Sequence, residues 1–572
     1  MSVNTSRFRI FSLSFAVVIV ALLCGLKLFF LQIVQGEIYQ ETAEGQYIST
    51  DHDIFNRGNI FFKTTNNTLI SAATVTTGYR LIMNPKKLVD KEDAYEKLST
   101  IVELNHQTFL DHASKNTTYR ELSNKLSVDT KEKIDALAIP GISTLRYKWR
   151  LYPGGTLASH ILGFVGYKGD SLTGRYGVEQ FYNDTLSRSD DALYINFFAE
   201  IFARIDMVKK DNNKISGDIV LTIDPVVQAQ IEKTIQSVQK TWNSSGVGAI
   251  VMDPHTGAIL AMGNTPVFDP NNYETVSDIS IFTNSLTENV YEMGSVIKPL
   301  VMAGAIDLGV IVPTTPYFDS GSIVVEKKEI YNFDKKGRGQ VTMQDVLGES
   351  LNTGMVFVAD KMGSENLRKY LYSFGFNTKT GIDLPNESRN LVENLEVKNR
   401  KLEYATAAFG QGVAITPITA VRAFATLGNG GYLVTPHVVS SVIKDNVTRS
   451  REDMIYERGA QVISQQTSET ITSMLVKNVD EYYGEGKYKL VHYSVGAKTG
   501  TAQIPNKENG GYYVDKHLHT FFGYFPAYNP RYIVFFYNYN PKNVKYSSQT
   551  LLQPFMDTAK FLISYFDIPP DR

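Results

Sequence analysis

Residues 10–34 read IFSLSFAVVIVALLCGLKLFFLQIV, 25 positions with one charge, Lys27. A helix needs roughly 20 apolar residues to cross the hydrocarbon of a bilayer. The run therefore predicts a single membrane-spanning helix and not part of a globular core. Arg7 and Arg9 precede it, whereas Glu37, Glu41, Glu44, Asp51 and Asp53 follow it. The excess of positive charge before the span predicts a cytoplasmic tail, residues 1–9, and an exported remainder. A cleaved signal peptide or a lipoprotein anchor would need small residues before the cut or before Cys24. Leu23 stands there, and no Ala-x-Ala follows. Lys27 would cost roughly 2.5–3.5 kcal/mol at mid-bilayer, and less where its stem lets the ammonium reach outward.

The exported part is too long for one core: 572 residues in all, at about 150 per domain, predict two to four domains. With 43% hydrophobic and 20% charged residues the chain has the makeup of folded domains. Lys plus Arg number 57 against 59 Asp plus Glu, so no electrostatic case for nucleic acid exists. Cys24 stands alone, which excludes a disulfide framework, a Cys-ligated structural zinc and a catalytic cysteine outside the first 30 residues.

Residues 35–215 mix short alternating stretches, such as TGYRLIM and ISTLRYKWRLY, with polar helical runs, and predict a loop-rich α+β module. Within it, residues 193–205 have helical apolar spacing suited to core packing. Lys209, Lys210 and Lys214 then read as a solvated linker, and a boundary is expected near Ser216. From 216 to 572, IVLTID and VVQAQIEKTIQSVQKTW predict a strand and an amphipathic helix, GVGAIVMD and AILAMGN a strand pair, and HTFFGYFPAY and RYIVFFYNY another pair before a closing helix. Strand pairs joined by tight turns predict an antiparallel sheet covered by helices, an α+β fold.

The chain has nine histidines, none beside a plausible nucleophile, and no Gly-x-Ser-x-Gly elbow. It also lacks His-Glu-x-x-His, P-loop and dinucleotide fingerprints. A serine activated by lysine remains. Ser295-Val296-Ile297-Lys298 leads into PLVMAGAIDLG, an almost wholly apolar helix ending at Gly309. A lysine three residues on lies one turn later on the same face. To accept a proton near pH 7 its pKa must fall from about 10.4 to near 7, a differential stabilisation of roughly 4–5 kcal/mol that desolvation and a neighbouring cation can supply.

Ser-x-x-Lys occurs three times, so context decides. Ser441-Val442-Ile443-Lys444 lies in an alternating β pattern that sends positions three apart to opposite faces. Ser237 lies on an amphipathic helix beside polar Gln239 and Lys240. Lys379-Thr380-Gly381 stands in a polar turn, whereas Lys498-Thr499-Gly500 reads as an edge strand lining a cleft. Ser350-Leu351-Asn352 follows the helical run VTMQDVLGES and falls between the other two.

In this ordered trio the chain resembles the penicillin-recognising serine acyltransferases, and specifically the class B penicillin-binding proteins. The resemblance is nearly full length. It extends through Arg57-Gly58, Arg150-Leu151-Tyr152-Pro153, His160 with Gly163 and Gly177-Val178-Glu179-Gln180, then Leu221-Thr222-Ile223-Asp224, Thr380-Gly381-Ile382-Asp383-Leu384-Pro385, Phe409-Gly410-Gln411-Gly412 and Thr416-Pro417. Met293 and Val296 replace the family's usual Pro and Thr, and NIFFKTTNN replaces its Asp-Arg-Asn-Gly turn.

The resemblance implies a tail (1–9), an anchor (10–34), an elongated pedestal (35–215) and a transpeptidase domain (216–572), held in the cytoplasmic membrane with the site outside. It implies that Ser295 attacks the D-Ala-D-Ala of a stem peptide and passes the acyl group to a neighbouring amine. Lys298 would be the base, Ser350 and Lys498 a proton shuttle, with the order of the lysines open. Asn352 would hold the substrate amide, and the Thr499 and Thr501 hydroxyls beside Gly500 its carboxylate. Backbone N–H groups of Ser295 and Thr501 would form the oxyanion hole. No metal or cofactor is implied. β-Lactams would be inhibitors, and a membrane-embedded glycan polymerase of a division or elongation complex would be the partner, at the septum in preference to the side wall. A D,D-carboxypeptidase or β-lactamase on the same fold, and a non-catalytic scaffold or β-lactam sensor, are the alternatives. Asp224, Glu179 and His160 are expected to serve folding.

Overall fold

A computed structural model describes residues 57–169, 171–187, 217–397, 400–444, 447–450, 459–506 and 508–572, with Phe15, Ile19, Val20, Leu22, Leu23, Gly25, Lys27 and Phe29. Those eight are helical and exposed. The expected span otherwise falls outside the described residues, as do segment 193–205 and the lysine linker. Among the described residues no helix is long and apolar enough to cross a membrane.

The described residues form two compact units: Val75–Trp149 in one, and the described parts of Arg57–Thr74, Arg150–Arg188 and Arg204–Arg572 in the other. In the first, the later part of strand Leu69–Met83 pairs antiparallel with Arg120–Leu126, from Tyr79 opposite Leu126 to Met83 opposite Arg120. Three short helices begin where a polar side chain accepts from their first turn: Asp90 from the N–H of Asp93, Asn105 from Thr108 and Ser127 from Thr130. Leu98, Phe109 and Ile134 from these helices bury against Leu81, Met83 and Leu126.

The second unit is built on a five-stranded sheet in the order Gly496–Pro505, Tyr512–Phe525, Tyr532–Tyr539, Gly246–Met252, Ile259–Asn264, with every neighbour antiparallel. The run Ile533–Phe536 has no polar residue because its strand is covered on both faces. On one face Val534, Phe536 and Phe521 meet Ile231 and Ile235 of helix Pro225–Trp242 and Phe555 of helix Leu552–Tyr565. On the other, Phe522 stacks on Phe424 of helix Pro417–Gly428 at 4.0 Å between centroids. This arrangement leaves Gly496–Pro505, the strand of Lys498-Thr499-Gly500, at one edge.

Asp224 caps helix Pro225–Trp242 by accepting from the N–H groups of Val226 and Val227. A second sheet in this unit joins distant stretches of chain: Ile60–Lys63 runs parallel to Asp218–Leu221, Ile60 opposite Ile219, and Asp218–Leu221 pairs in turn with Val439–Lys444. Beside it Glu179, fully buried, receives Arg57 Nε at 2.5 Å and Arg150 Nε at 2.6 Å. Arg57 also donates to Glu179 O at 2.7 Å and Arg150 to Gly58 O at 2.8 Å. His160 is buried, its Nε2 2.9 Å from Ile281 O, and burial lowers its pKa to about 4.

Candidate active site

Ser295 lies in a single 3-10 turn, Gly294–Ile297, which runs straight into helix Lys298–Asp307. The backbone N–H of Lys298 donates to Ser295 O, closing that turn. Three residues per turn put positions 295 and 298 on one side. The helix is buried on every face from Lys298 to Ala305, so its apolar sequence marks a central core helix and not an amphipathic one.

Two glycines let the turn sit where it does. A Cβ on Gly500 would lie 2.2 Å from Thr520 Oγ1 and 2.9 Å from Met293 O, and one on Gly410 would lie 2.2 Å from Gly294 O. The edge strand and the 410 loop thus clamp the turn from two sides, and Thr520 Oγ1 donates to Met293 O at 2.8 Å. This contact explains the glycine of Lys-Thr-Gly as a close approach of backbones.

Lys298 and Lys498 are both buried, 0% and 1% exposed, and both reach Ser350. Lys298 Nζ donates to Ser350 O at 2.5 Å, Asn352 Oδ1 at 2.8 Å and Ser350 Oγ at 3.2 Å. Lys498 Nζ donates to the same Ser350 Oγ at 3.0 Å and to Thr499 O at 3.1 Å. Burial drives Lys298 well below its ordinary pKa and Lys498 pushes it the same way. Burial alone lowers Lys498 to about 7.

One detail differs from the one-turn spacing argument. Among the described residues no hydrogen bond joins Ser295 Oγ to Lys298 Nζ; the lysine turns to the oxygens of Ser350 and Asn352. The reason lies in Ser350, whose φ of +59° is left-handed for a residue with a side chain. That conformation, strained by about 1–3 kcal/mol, presents its carbonyl to the lysine.

The structure thus gathers Lys298, Ser350, Asn352, Lys498 and Thr499 in one hydrogen-bonded cluster, with Gly500 packed on the Ser295 turn. Thr501 is held from the side: its Oγ1 accepts from the backbone N–H of Ser547 at 3.1 Å, leaving its own proton free to donate elsewhere. The competing motifs are not so placed. Ser441 and Lys444 lie on strand Val439–Lys444, Ser237 and Lys240 are exposed, and Thr380 is buried in a turn with its N–H on Glu387.

A cavity of about 980 Å³ runs along the far end of the edge strand, lined by Gln503, Ile504 and Pro505 with Glu288, Tyr291 and Glu292. Among the described residues no three His, Cys, Asp or Glu side chains gather as a metal ion would require.

Residues 247–558 match the family described as the penicillin binding protein transpeptidase domain. This chain belongs to that family. Residues 55–218 match the penicillin-binding protein dimerisation domain, which gives this penicillin-binding protein the two-domain makeup of the class B members. It is similar to stage V sporulation protein D of Bacillus subtilis, 30% identical over 97% of this chain and 84% of the relative. It is also similar to the peptidoglycan D,D-transpeptidase FtsI of Buchnera aphidicola subsp. Baizongia pistaciae, 29% identical over 99% and 97%. Among solved structures, penicillin-binding protein 3 of Mycobacterium tuberculosis in complex with aztreonam superposes with a TM-score of 0.67 at 23% identity, covering 90% of this chain and 97% of that one.

Some supports of the penicillin-binding protein's site carried no sequence signal. Tyr483, buried, accepts from the N–H of Thr499 at 3.0 Å and donates to Ala497 O at 3.3 Å, pinning the edge strand from outside. Ser547 donates through Oγ to Thr520 O at 2.7 Å. Tyr and Ser at such spacings are ordinary, and only the tertiary fold reveals what they hold.

Proposed function

We propose that the chain is a membrane-anchored peptidoglycan D,D-transpeptidase that cross-links stem peptides through an acyl-enzyme on Ser295. The observation that carries the reading is the convergence of two buried, pKa-lowered lysines on Ser350 beneath the Ser295 turn. An uncharged Lys298, one turn from the hydroxyl, keeps two of its three contacts as donor and uses its lone pair to accept the proton as Ser295 attacks the carbonyl of D-Ala-D-Ala. Ser350 and Lys498 relay a proton to the departing D-Ala amine. Asn352 holds the substrate amide, Thr499 and Thr501 meet its carboxylate beside Gly500, and the N–H groups of Ser295 and Thr501 receive the oxyanion. The cavity beyond Gln503 gives an extended peptide room.

Residues 10–34 anchor the chain in the cytoplasmic membrane, residues 35–215 form the pedestal and residues 216–572 the catalytic domain. β-Lactams acylate the same serine, and a membrane-embedded glycan polymerase supplies the strands to be joined, at the division septum. A near full-length match to relatives named as D,D-transpeptidases supports transfer in preference to hydrolysis. Supplied with a D-Ala-D-Ala stem peptide and a second stem bearing a free amine, the protein should form the cross-linked dimer faster than the hydrolysed tetrapeptide. Hydrolysis as the dominant product would favour the carboxypeptidase reading.

Acylation should also depend on pH with a definite sign. Lys298 must be neutral: burial first, and then the nearby Lys498, hold it well below the ordinary lysine range, while burial lowers Lys498 to about 7. The rate of labelling by a fluorescent penicillin should hold at and just above neutrality and decline as the pH is lowered further. A rate that climbs on acidification would contradict the lysine's role as base.

A further inference from the structure

Helix Asn352–Met362 begins at the site, yet its N-cap position is Leu351, which has no side chain to bond the first turn. The exposed N–H groups of such a turn need acceptors. They find them far away in sequence. Asn332 Oδ1 accepts from the N–H of Asn352 at 2.9 Å and from the N–H of Thr353 at 3.3 Å, and lies 3.0 Å from Thr353 Oγ1. Asn332, 2% exposed, follows strand Lys328–Tyr331 of a small hairpin.

Asn332 is itself fixed. Its Nδ2 donates to both oxygens of Asp319, at 3.1 and 2.9 Å, and to Lys336 O at 3.2 Å. Asp319, 1% exposed, also receives Thr353 Oγ1 at 2.6 Å and the N–H groups of Arg338 and Gly321 at 2.9 and 3.2 Å. The residue before Asn332 completes the hold on Asn352: Tyr331 O accepts from Asn352 Nδ2 at 2.9 Å, while Asn352 Oδ1 faces Lys298 Nζ. Neither end of the Asn352 amide can turn without losing a partner.

We propose that Asn332, locked by Asp319, is a positioning residue for the reaction: it caps the helix of Asn352 from outside and so sets where Asn352 and Ser350 stand against Lys298. The inference rests on the proposed role of Asn352 and adds the element that aims it. Asn332 touches no reacting atom. Its effect passes through a helix start, where displacement by about 1 Å is enough to change a rate by roughly 100-fold.

A double-mutant cycle tests it, read as the rate of acylation by a fluorescent penicillin per folded molecule. Asn352→Ala and Asn332→Leu should each acylate about 10- to 100-fold more slowly, and the double variant should lose clearly less than the product of the two losses. Asn332→Asp, which keeps the acceptor for both amide N–H groups and as a protonated acid can still donate to Asp319, should keep more of the rate than Asn332→Leu. Losses that multiply in the double variant, or an Asn332→Leu protein at the wild-type rate, overturn the proposal. If Asn332→Leu does not fold, Asn332→Ser, too short to reach both amides, takes its place in the cycle with the same outcomes. An unaffected Asn352→Ala would instead remove the role given to Asn352 itself, so the two failures are distinguishable.

Discussion

Lys298→Met should slow penicillin acylation by about 10³-fold, and Lys298→Arg should do no better. General bases contribute roughly 10²- to 10⁴-fold, and methionine fills a similar buried volume without a proton acceptor. The arginine variant is the sharper of the two. Its guanidinium keeps donors for Ser350 O and Asn352 Oδ1, so a purely architectural role for Lys298 would survive the change. It does not lose its proton at any working pH, so a role as base would not. The rates come from time courses of labelling, with circular dichroism showing that each variant is folded. A Lys298→Arg protein within threefold of the wild type would mean that Lys298 is scaffolding.

The second large effect lies away from the chemistry. Glu179→Gln should lower stability by about 3–5 kcal/mol, because two buried guanidiniums lose the charge that balances them. Burial alone would raise the Glu179 pKa, but Arg150 and Arg57 outweigh it and hold the carboxylate below its usual range. A carboxylate depressed in the folded state stabilises it fully above the unfolded value, 4.5, and that stabilisation is lost as the pH falls through the folded pKa. Urea melts at pH 7 should therefore separate wild type from Glu179→Gln widely, and the gap should narrow as the pH falls below 4.5. Acylation per folded molecule should be unchanged, since none of the three side chains joins the lysine cluster. Coincident melts at pH 7 would show that the triad contributes little net stability.

How far such sites are legible in sequence depends on the range of the interactions. Ser295 and Lys298 are three residues apart, so their shared side follows from helical geometry alone, and the apolar run after them foretells the burial that lowers the lysine. Lys498 is recognisable because its flanking stretches read as an edge strand, whereas Lys379 stands in a polar turn. The antiparallel sheet follows from strand pairs with short connections.

What escaped depends on contacts across the chain. Ile60 opposite Ile219 joins residues 159 apart, and nothing local in either stretch selects the other. Ser350 reads as a helix-end serine, and no propensity argument gives a serine a left-handed backbone. The direction of Lys298 Nζ, toward Ser350 and Asn352, depends on that backbone and was equally hidden. The cap from Asn332 comes from 20 residues upstream, where a local rule expects it at Leu351.

Every proposed step begins at Ser295, the hydroxyl that becomes acylated. Intact-mass analysis and peptide mapping after incubation with a labelled penicillin test this most directly. The expected result is one stable adduct, mapped to Ser295, absent from Ser295→Ala and retained by Ser441→Ala. An adduct on any other serine, or one that persists in Ser295→Ala, would contradict it.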